Sequence, residues 1–410
     1  MSGLVVLGKL WGNLYGYLFP AIEEEIGELD EKHQEFVAIC EACAPHEHMA
    51  GYRWCGDGCP PADRLPICKA FIAKAVWDFS TTRNLIDALK CRPLLRRLCG
   101  WETASAIPSE STFSRAFAAF AKDRLPERIH EAMIKKYHGD KLVGHINRDA
   151  TAIHAREKGV AKRKAEDIPA QKTVEIVQLQ VPPLVTIETI PPLENAQADQ
   201  ETMEVPDIKK TKGKPGRKRK TPKVQPEQPN QPKLQKQLER TLEENLDDLP
   251  RDCNWGTKRN SQGKGMTWRG YKLHVDTMDG DIPVSWILSS ASMHDSQAAI
   301  PLAQMTAKRV TNLYDLADSA YDAPAIREMS TRLGHVAIID HNQRRGEKRE
   351  FAPAEKIRYK ERSSSERLNS HLHDSHGGRH VRVRGSVKVM AHLSFGLLVI
   401  AAEQLFAMLC

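Results

Sequence analysis

From Gly159 to Pro250 the chain holds no phenylalanine, tyrosine or tryptophan, and from Lys209 to Lys223 it holds no acidic residue. The first lack excludes a self-supporting core. A stretch rich in Pro, Gln, Lys and Glu cannot bury enough apolar surface to offset its ordering entropy, so 159–250 is expected to be a disordered insertion. The second lack leaves nine Lys or Arg among fifteen residues without a counter-charge. Their centre, KPGRKRK with Lys218 and Arg219, suits a DNA phosphate backbone or a narrow minor groove, and equally a solvated tether.

Two further lacks bear on location. The N-terminal MSGLVVLGKLWGNLYGYLF has no basic segment ahead of its apolar run and no convincing small-residue cleavage site, so it reads as mature sequence and not as a secretory signal. The most apolar stretch, LSFGLLVIAAEQLFAMLC from Leu393 to Cys410, is interrupted by Glu403 and Gln404, which suits a buried helix better than a membrane span. A soluble cytoplasmic protein with no membrane partner is expected. Nine cysteines without a secretory signal then point to reduced thiols or metal ligands and not to a disulfide framework.

What is present is length and positive charge. A chain of 410 residues can form two or three domains, and a net charge of +7 makes an acidic polymer a plausible partner. Residues 1–140 carry helical patterns with Pro and Gly punctuation and read as a helical N-terminal domain. In PSESTFSRAFAAFAKD, Ser109 or Ser111 can cap a helix that brings Phe113, Phe117 and Phe120 to one side as core residues. Cys40, Cys43, Cys55 and Cys59, with His46 and His48 between the pairs, are spaced C-x2-C-x11-C-x3-C. They could form a small zinc knuckle or be ordinary thiols.

A second ordered region combines 141–158 with 251–410. LVGHINRDATAI reads as a strand with Asp149 near its exit. YKLHVDT and IPVSWILSSA flank Asp279 and Gly280, a hairpin signal. Trp268, in TWRGYKLH, fits either a core position or a stacking platform for an unpaired base. Asp295 stands where a helix N-cap belongs. A strand ending near Asp318, the helical APAIREMSTRLG, the strand HVAIIDHN and a final helical region follow. The order implies an α/β fold, a mixed sheet with flanking helices.

In YKERSSSERLNSHLH, Tyr359, Arg362, Glu366 and His373 fall within about 60° of one another on a continuous helix. Burying Arg362 and Glu366 on such a stripe is costly unless each finds a partner or a metal. Asp149, Asp318 and Glu366 occupy comparable places at strand ends or just after them. Strand ends of an open α/β sheet converge on one edge, where clustered carboxylates need divalent cations, and Mg²⁺ takes carboxylate, water and phosphate oxygens.

These residues resemble the DDE transposases of bacterial insertion sequences. The family's third motif is Y-x(2)-R-x(3)-E-x(6)-K. Tyr359, Arg362 and Glu366 match it, with His373 in place of lysine. INRDATAIHAREK around Asp149 is similar to the first motif. LADSAYD around Asp318 is similar to D-x-G-Y, with Ala320 replacing glycine. The similarity spans 65–157 and 251–410.

The resemblance implies a ribonuclease-H-like catalytic domain. Asp149, Asp318 and Glu366 would be the catalytic acids and ligands of two Mg²⁺ ions, with Mn²⁺ able to substitute, while Tyr359, Arg362 and His373 would contact DNA. It further implies double-stranded DNA as partner at both the element ends and the target, with a homodimer on paired ends. The helical N-terminal domain would bind DNA ends or dimerise, and the protein would be bacterial and nucleoid-associated. A ribonuclease-H-fold nuclease without strand transfer, and an inactive transposase-derived DNA-binding protein, are the alternative readings.

Overall fold

The computed structural model describes residues 3–52, 56, 60–158, 232–259, 265–342 and 349–409. Residues 1–161 and 231–410 form one compact unit. Eight α-helices come first: α1 Gly3–Asn13, α2 Phe19–Ile26, α3 Glu31–Cys43, α4 Arg64–Val76, α5 Thr82–Cys91, α6 Pro93–Cys99, α7 Glu110–Lys122 and α8 Leu125–His138. Short polar side chains start several of them by accepting orphan backbone N–H groups. Asp30 accepts from His33 before α3, Asp63 from Leu65 before α4, and Thr81 from Asn84 before α5. Ser109 does occupy the cap position of α7, but its hydroxyl bonds those of Ser111 and Thr112 and not the backbone.

Phe113, Phe117 and Phe120 are buried as their spacing predicts, packed around Phe71 of α4. Each such ring removed from water contributes roughly 1.5–3 kcal/mol.

The sheet follows. Its strands are β1 Leu142–His154, β2 Asn254–Arg259, β3 Gly265–Met278, β4 Ile282–Ser290, β5 Thr311–Ala317 and β6 Val336–Ile339. Two short helices, α9 Lys233–Leu238 and α10 Leu242–Asp247, precede β2. Then come α11 Ser296–Ala307, α12 Pro324–Arg332, α13 Pro353–Tyr359, α14 Ser363–Ser375 and α15 Ser386–Ala407. β3 lies antiparallel to β1 and β4, whereas β5 and β6 run parallel to β1 and to each other. This is the α/β, ribonuclease-H-like mixed sheet that the sequence implies.

The turn between β3 and β4 sits at Asp279, Gly280 and Asp281, with Gly280 at φ +81° and Asp281 at φ +58°. Glycine takes that left-handed conformation freely and aspartate tolerates it.

One expectation needs correction, one strand escaped the sequence reading, and one open reading is decided. Residues 233–247, expected within the disordered insertion, form the two short helices α9 and α10, which pack on α11. Leu234, Leu238, Leu242 and Leu246 recur every fourth residue and supply an apolar stripe that the overall composition hides. Thr241 and Glu244 close a capping box, and Asn245 donates to Gln304 at 3.1 Å. The rest of the expected insertion, with Lys218 and Arg219, lies outside the described residues. β2 was not expected at all, because NWGTKR offers only a short, polar alternation. Of the two readings of Trp268 the core one holds: it is buried, donates from Nε1 to Tyr271 O at 3.1 Å, and fills space that Gly256 leaves open.

α15 is long and apolar enough to cross a membrane by length and composition, yet 83% of its most apolar window is buried inside the protein. It is the central core helix, flanked by α3, α4, α7, α8, α14 and β4. Trp286 on β4 donates to Ser394 of α15 at 2.9 Å, which joins the sheet to that helix.

Candidate active site

β1 and β5 are neighbouring parallel strands in which Arg148 pairs with Ala317, so Asp149 and Asp318 leave that pairing side by side. β1 itself does not end there. It continues to His154 and sets Asp149 opposite Val275 of β3, so Asp149 stands at the end of the β5 pairing and not of its own strand. Asp318 caps a short 3₁₀ turn and accepts the Ala320 backbone N–H at 2.9 Å.

Burial pushes the Asp149 carboxyl up to about 6; the Ala150 N–H and Lys258 work against that shift, and the negative charge of Asp318 adds to it. Burial likewise raises Asp318, against the opposing pull of the Ala320 N–H, Arg362 and Lys258. Two half-buried carboxylates, one of them raised by the other's charge, fit a site that takes a cation.

The continuous stripe expected for Tyr359–His373 is divided. α13 ends at Tyr359, a 3₁₀ turn spans Lys360–Arg362, and α14 begins at Ser363. The Ser365 hydroxyl donates to Arg362 O at 2.8 Å, tightening the junction. Arg362 nevertheless reaches Glu366, donating from Nη2 to Oε1 at 2.6 Å. Burial works against the Arg362 charge, and Tyr359, Asp149, Glu366 and Asp318 more than offset it. One guanidinium therefore stands in the field of all three candidate acids. Glu366 remains 60% exposed. Tyr359 packs on Phe351, and burial pushes its hydroxyl up to about 12.

His373 does not stand in for a lysine electrostatically. Burial lowers its pKa, and its Nε2 lies 2.9 Å from the Thr151 hydroxyl, an interaction a neutral ring can make. The neighbouring positive charge comes instead from Lys258 on β2, which lowers both Asp149 and Asp318. Sequence reasoning missed Lys258 because it missed β2. It also missed Asn369, whose amide donates to Asp149 Oδ2 at 3.0 Å. The signal for Asn369 was its position three residues after Glu366, one helical turn along.

Other acids nearby are committed elsewhere. Asp295 begins α11 without a side-chain cap bond and pairs with Lys272 at 2.8 Å, Asp322 pairs with Arg327 at 3.0 Å, and Asp276 forms a buried two-bonded pair with Arg148.

Asp149, Asp318 and Glu366 offer only carboxylate oxygens, the hard donors that Mg²⁺ takes. Among the described residues, the group of three or more ligand-type side chains whose donor atoms lie within 4.8 Å of one another is His371, His376 and Glu403, not these acids. Of the four cysteines that could form a zinc knuckle or be ordinary thiols, Cys40 and Cys43 are buried on α3, and burial pushes the Cys40 thiol up to about 12. Cys55 and Cys59 lie outside the described residues. His46 and His48 lie on a 3₁₀ turn that follows α3.

A cleft of about 620 Å³ carries Lys74, Arg83, Arg156, Arg382, Arg384 and Lys388. Its cations come from both ends of the chain, so no sequence window displayed them as a patch.

Two family descriptions match the chain: "Transposase DDE domain" over residues 231–401, and "Transposase domain (DUF772)" over residues 27–119. The first takes in Asp318, Arg362 and Glu366, whereas Asp149 lies between the two matched ranges. No curated protein and no solved structure matches. With its mixed sheet, helical N-terminal region and both transposase matches, the chain belongs to the DDE transposases of bacterial insertion sequences.

Proposed function

We propose that the protein cleaves DNA at the ends of its insertion sequence and joins the freed ends to target DNA, using Asp149, Asp318 and Glu366 as the catalytic acids. The observation that carries this reading is the position of Asp149 on β1 beside Asp318 just after β5, with Arg362 in the field of both and bonded to Glu366.

Two Mg²⁺ ions would be held by the three carboxylates, with Mn²⁺ as a substitute; when bound they supply an activated oxygen nucleophile and neutralise charge developing on the phosphodiester. The chain's own groups do the positioning. Asn369 orients the Asp149 carboxylate. Arg362 serves as counter-charge to the acids before metal and DNA arrive, and its planar fork is suited to hold a phosphate afterwards. Tyr359, protonated at neutral pH, can donate a hydrogen bond to a phosphate oxygen. The cleft from Lys74 to Lys388 suits the backbone of a DNA end, and a second copy of the chain would hold the second end. The site of action would be the bacterial cytoplasm, on the nucleoid.

The test is Mg²⁺-dependent nicking and strand transfer on a fragment carrying the element's own end. Asp149→Asn, Asp318→Asn and Glu366→Gln should each fold, bind DNA and lose roughly 10³-fold or more of both activities, and combining them should add little. Near-normal nicking by Glu366→Gln, with Asp295→Asn or Asp322→Asn inactive, would show that other carboxylates do the chemistry. Nicking without strand transfer would leave a nuclease, and binding with neither activity a DNA-binding protein.

A further inference from the structure

We propose that His371, His376 and Glu403 form a second metal site, suited to Zn²⁺ or a similar divalent transition metal, which fastens α14 to α15. His371 lies in the C-terminal half of α14, His376 caps its C-terminus, and Glu403 lies near the end of α15. This site shares no residue with the carboxylates that would hold Mg²⁺.

The geometry carries the proposal. His371 Nε2 and His376 Nε2 are 3.1 Å apart, His376 Nε2 is 3.2 Å from Glu403 Oε2, and His371 Nε2 is 3.7 Å from the same oxygen. Around a tetrahedral ion with metal–ligand bonds of about 2.0–2.1 Å, neighbouring donors stand about 3.3 Å apart. The triangle therefore has the size of one face of a zinc coordination sphere. Two imidazoles and one carboxylate are also a recurrent donor set for borderline divalent metals.

The surroundings fit as well. His376 Nδ1 lies 3.2 Å from the backbone carbonyl of Ala75, close enough to donate to it. That bond fixes the tautomer and leaves Nε2 of a neutral ring without a proton, facing a carboxylate oxygen. Of two such acceptors, at most one can be satisfied by a proton on His371 Nε2, whereas a cation satisfies all three groups together. The side chains of His376 and Glu403 are 2% and 13% exposed, and that of His371 is 35% exposed. Glu35 of α3, paired with Lys32 at 2.7 Å, borders the same cavity as Glu403 and adds negative charge on that side of the cluster. That cavity, of about 430 Å³ and bordered by Trp11, Glu35 and Glu403, reaches the Glu403 side of the cluster.

The arrangement has a consequence for the fold. Glu35 and Ala75 belong to the segment matched as DUF772, and His371 and His376 to the segment matched as the DDE domain. An ion here would hold His376, which also bonds the Ala75 carbonyl, and so fix the contact between the two segments. It would also anchor the far end of the helix that carries Glu366 and Asn369.

The experiment uses the full chain in metal-free buffer with excess Mg²⁺, which keeps the Asp149 site supplied with its own ion. Titration with Co²⁺, followed by displacement with Zn²⁺ and elemental analysis, should show d–d absorption without a thiolate charge-transfer band and about one ion per chain. His371→Gln and Glu403→Gln should each weaken Co²⁺ and Zn²⁺ binding by at least about tenfold, whereas the double variant Cys55→Ser/Cys59→Ser should bind as the unaltered chain does.

His371→Cys guards against a folding artefact: it should restore binding and add the thiolate band that the unaltered protein lacks. The proposal is overturned if no Co²⁺ spectrum forms, if His371→Gln and Glu403→Gln bind normally, or if the metal is lost only in the cysteine double variant. It is equally overturned if His371→Cys binds Co²⁺ without the new band. In any of those cases the cluster is an ion pair between imidazolium and carboxylate.

Discussion

The Asn369 amide donates a 3.0 Å hydrogen bond to Oδ2 of Asp149, a contact between residues 220 positions apart. It links α14, which carries Glu366, directly to β1. Each part of the proposed site thereby constrains the other. Asn369→Ala should fold normally and lower the nicking rate by roughly 10–100-fold, with little change in DNA affinity. Asn369→Gln, which keeps an amide but lengthens its reach, should recover only part of the rate. Equal losses of rate and DNA affinity in Asn369→Ala would mean that the residue serves binding and not orientation.

Asp149 makes stability depend on pH with a definite sign. Its folded-state pKa, about 6, lies above the ordinary 3.8, so its contribution is fully present below the ordinary value and is lost as pH rises through about 6. Asp149→Asn should therefore melt higher than the unaltered chain at pH 8 without metal, by up to about 3 kcal/mol, and match it near pH 3.5. Mg²⁺ binds the ionised form, so its thermal stabilisation should be largest above pH 6 and fade below. Melting curves with and without Mg²⁺ from pH 4 to pH 8 check both, and an equal Mg²⁺ shift at every pH would contradict the assignment.

Lys258 and not His373 should supply positive charge beside the acids. Lys258→Gln should lower nicking about tenfold and raise the Asp149 pKa, moving the pH–rate profile upward, because a cation that favours the carboxylate form is gone. His373→Gln, which can still bond Thr151, should change activity less than about threefold. A larger effect of His373→Gln than of Lys258→Gln on DNA affinity would reverse these roles.

The cleft holding Arg382 and Arg384 should follow DNA backbone electrostatics. Arg382→Gln and Arg384→Gln should each weaken binding to any duplex and lower the slope of log affinity against log salt by about 1. A loss confined to the element's own end sequence would indicate contact with base edges instead.

The sequence by itself marked most of the elements and named the candidate acids. Hydrophobic periodicity marked the aromatic face of α7, the β3–β4 hairpin announced itself through Asp279 and Gly280, and α15 read as a buried helix because Glu403 and Gln404 interrupt its apolar run. Asp149, Asp318 and Glu366 were legible because each sits in a short local pattern of its own. Tertiary structure decided what no local pattern encodes. The parallel pairing of β1 with β5 sets Asp149 beside Asp318. A strand too short and polar to read, β2, brings Lys258 to the same edge, and one α14 contact across 220 residues ties Asn369 to Asp149. Four leucines rescued 233–247 from a composition that reads as disorder, because burial depends on which side chains share a face and not on how many there are. The basic cleft and the His371–His376–Glu403 cluster gather residues from distant segments, and only chain folding brings such groups within a few ångströms.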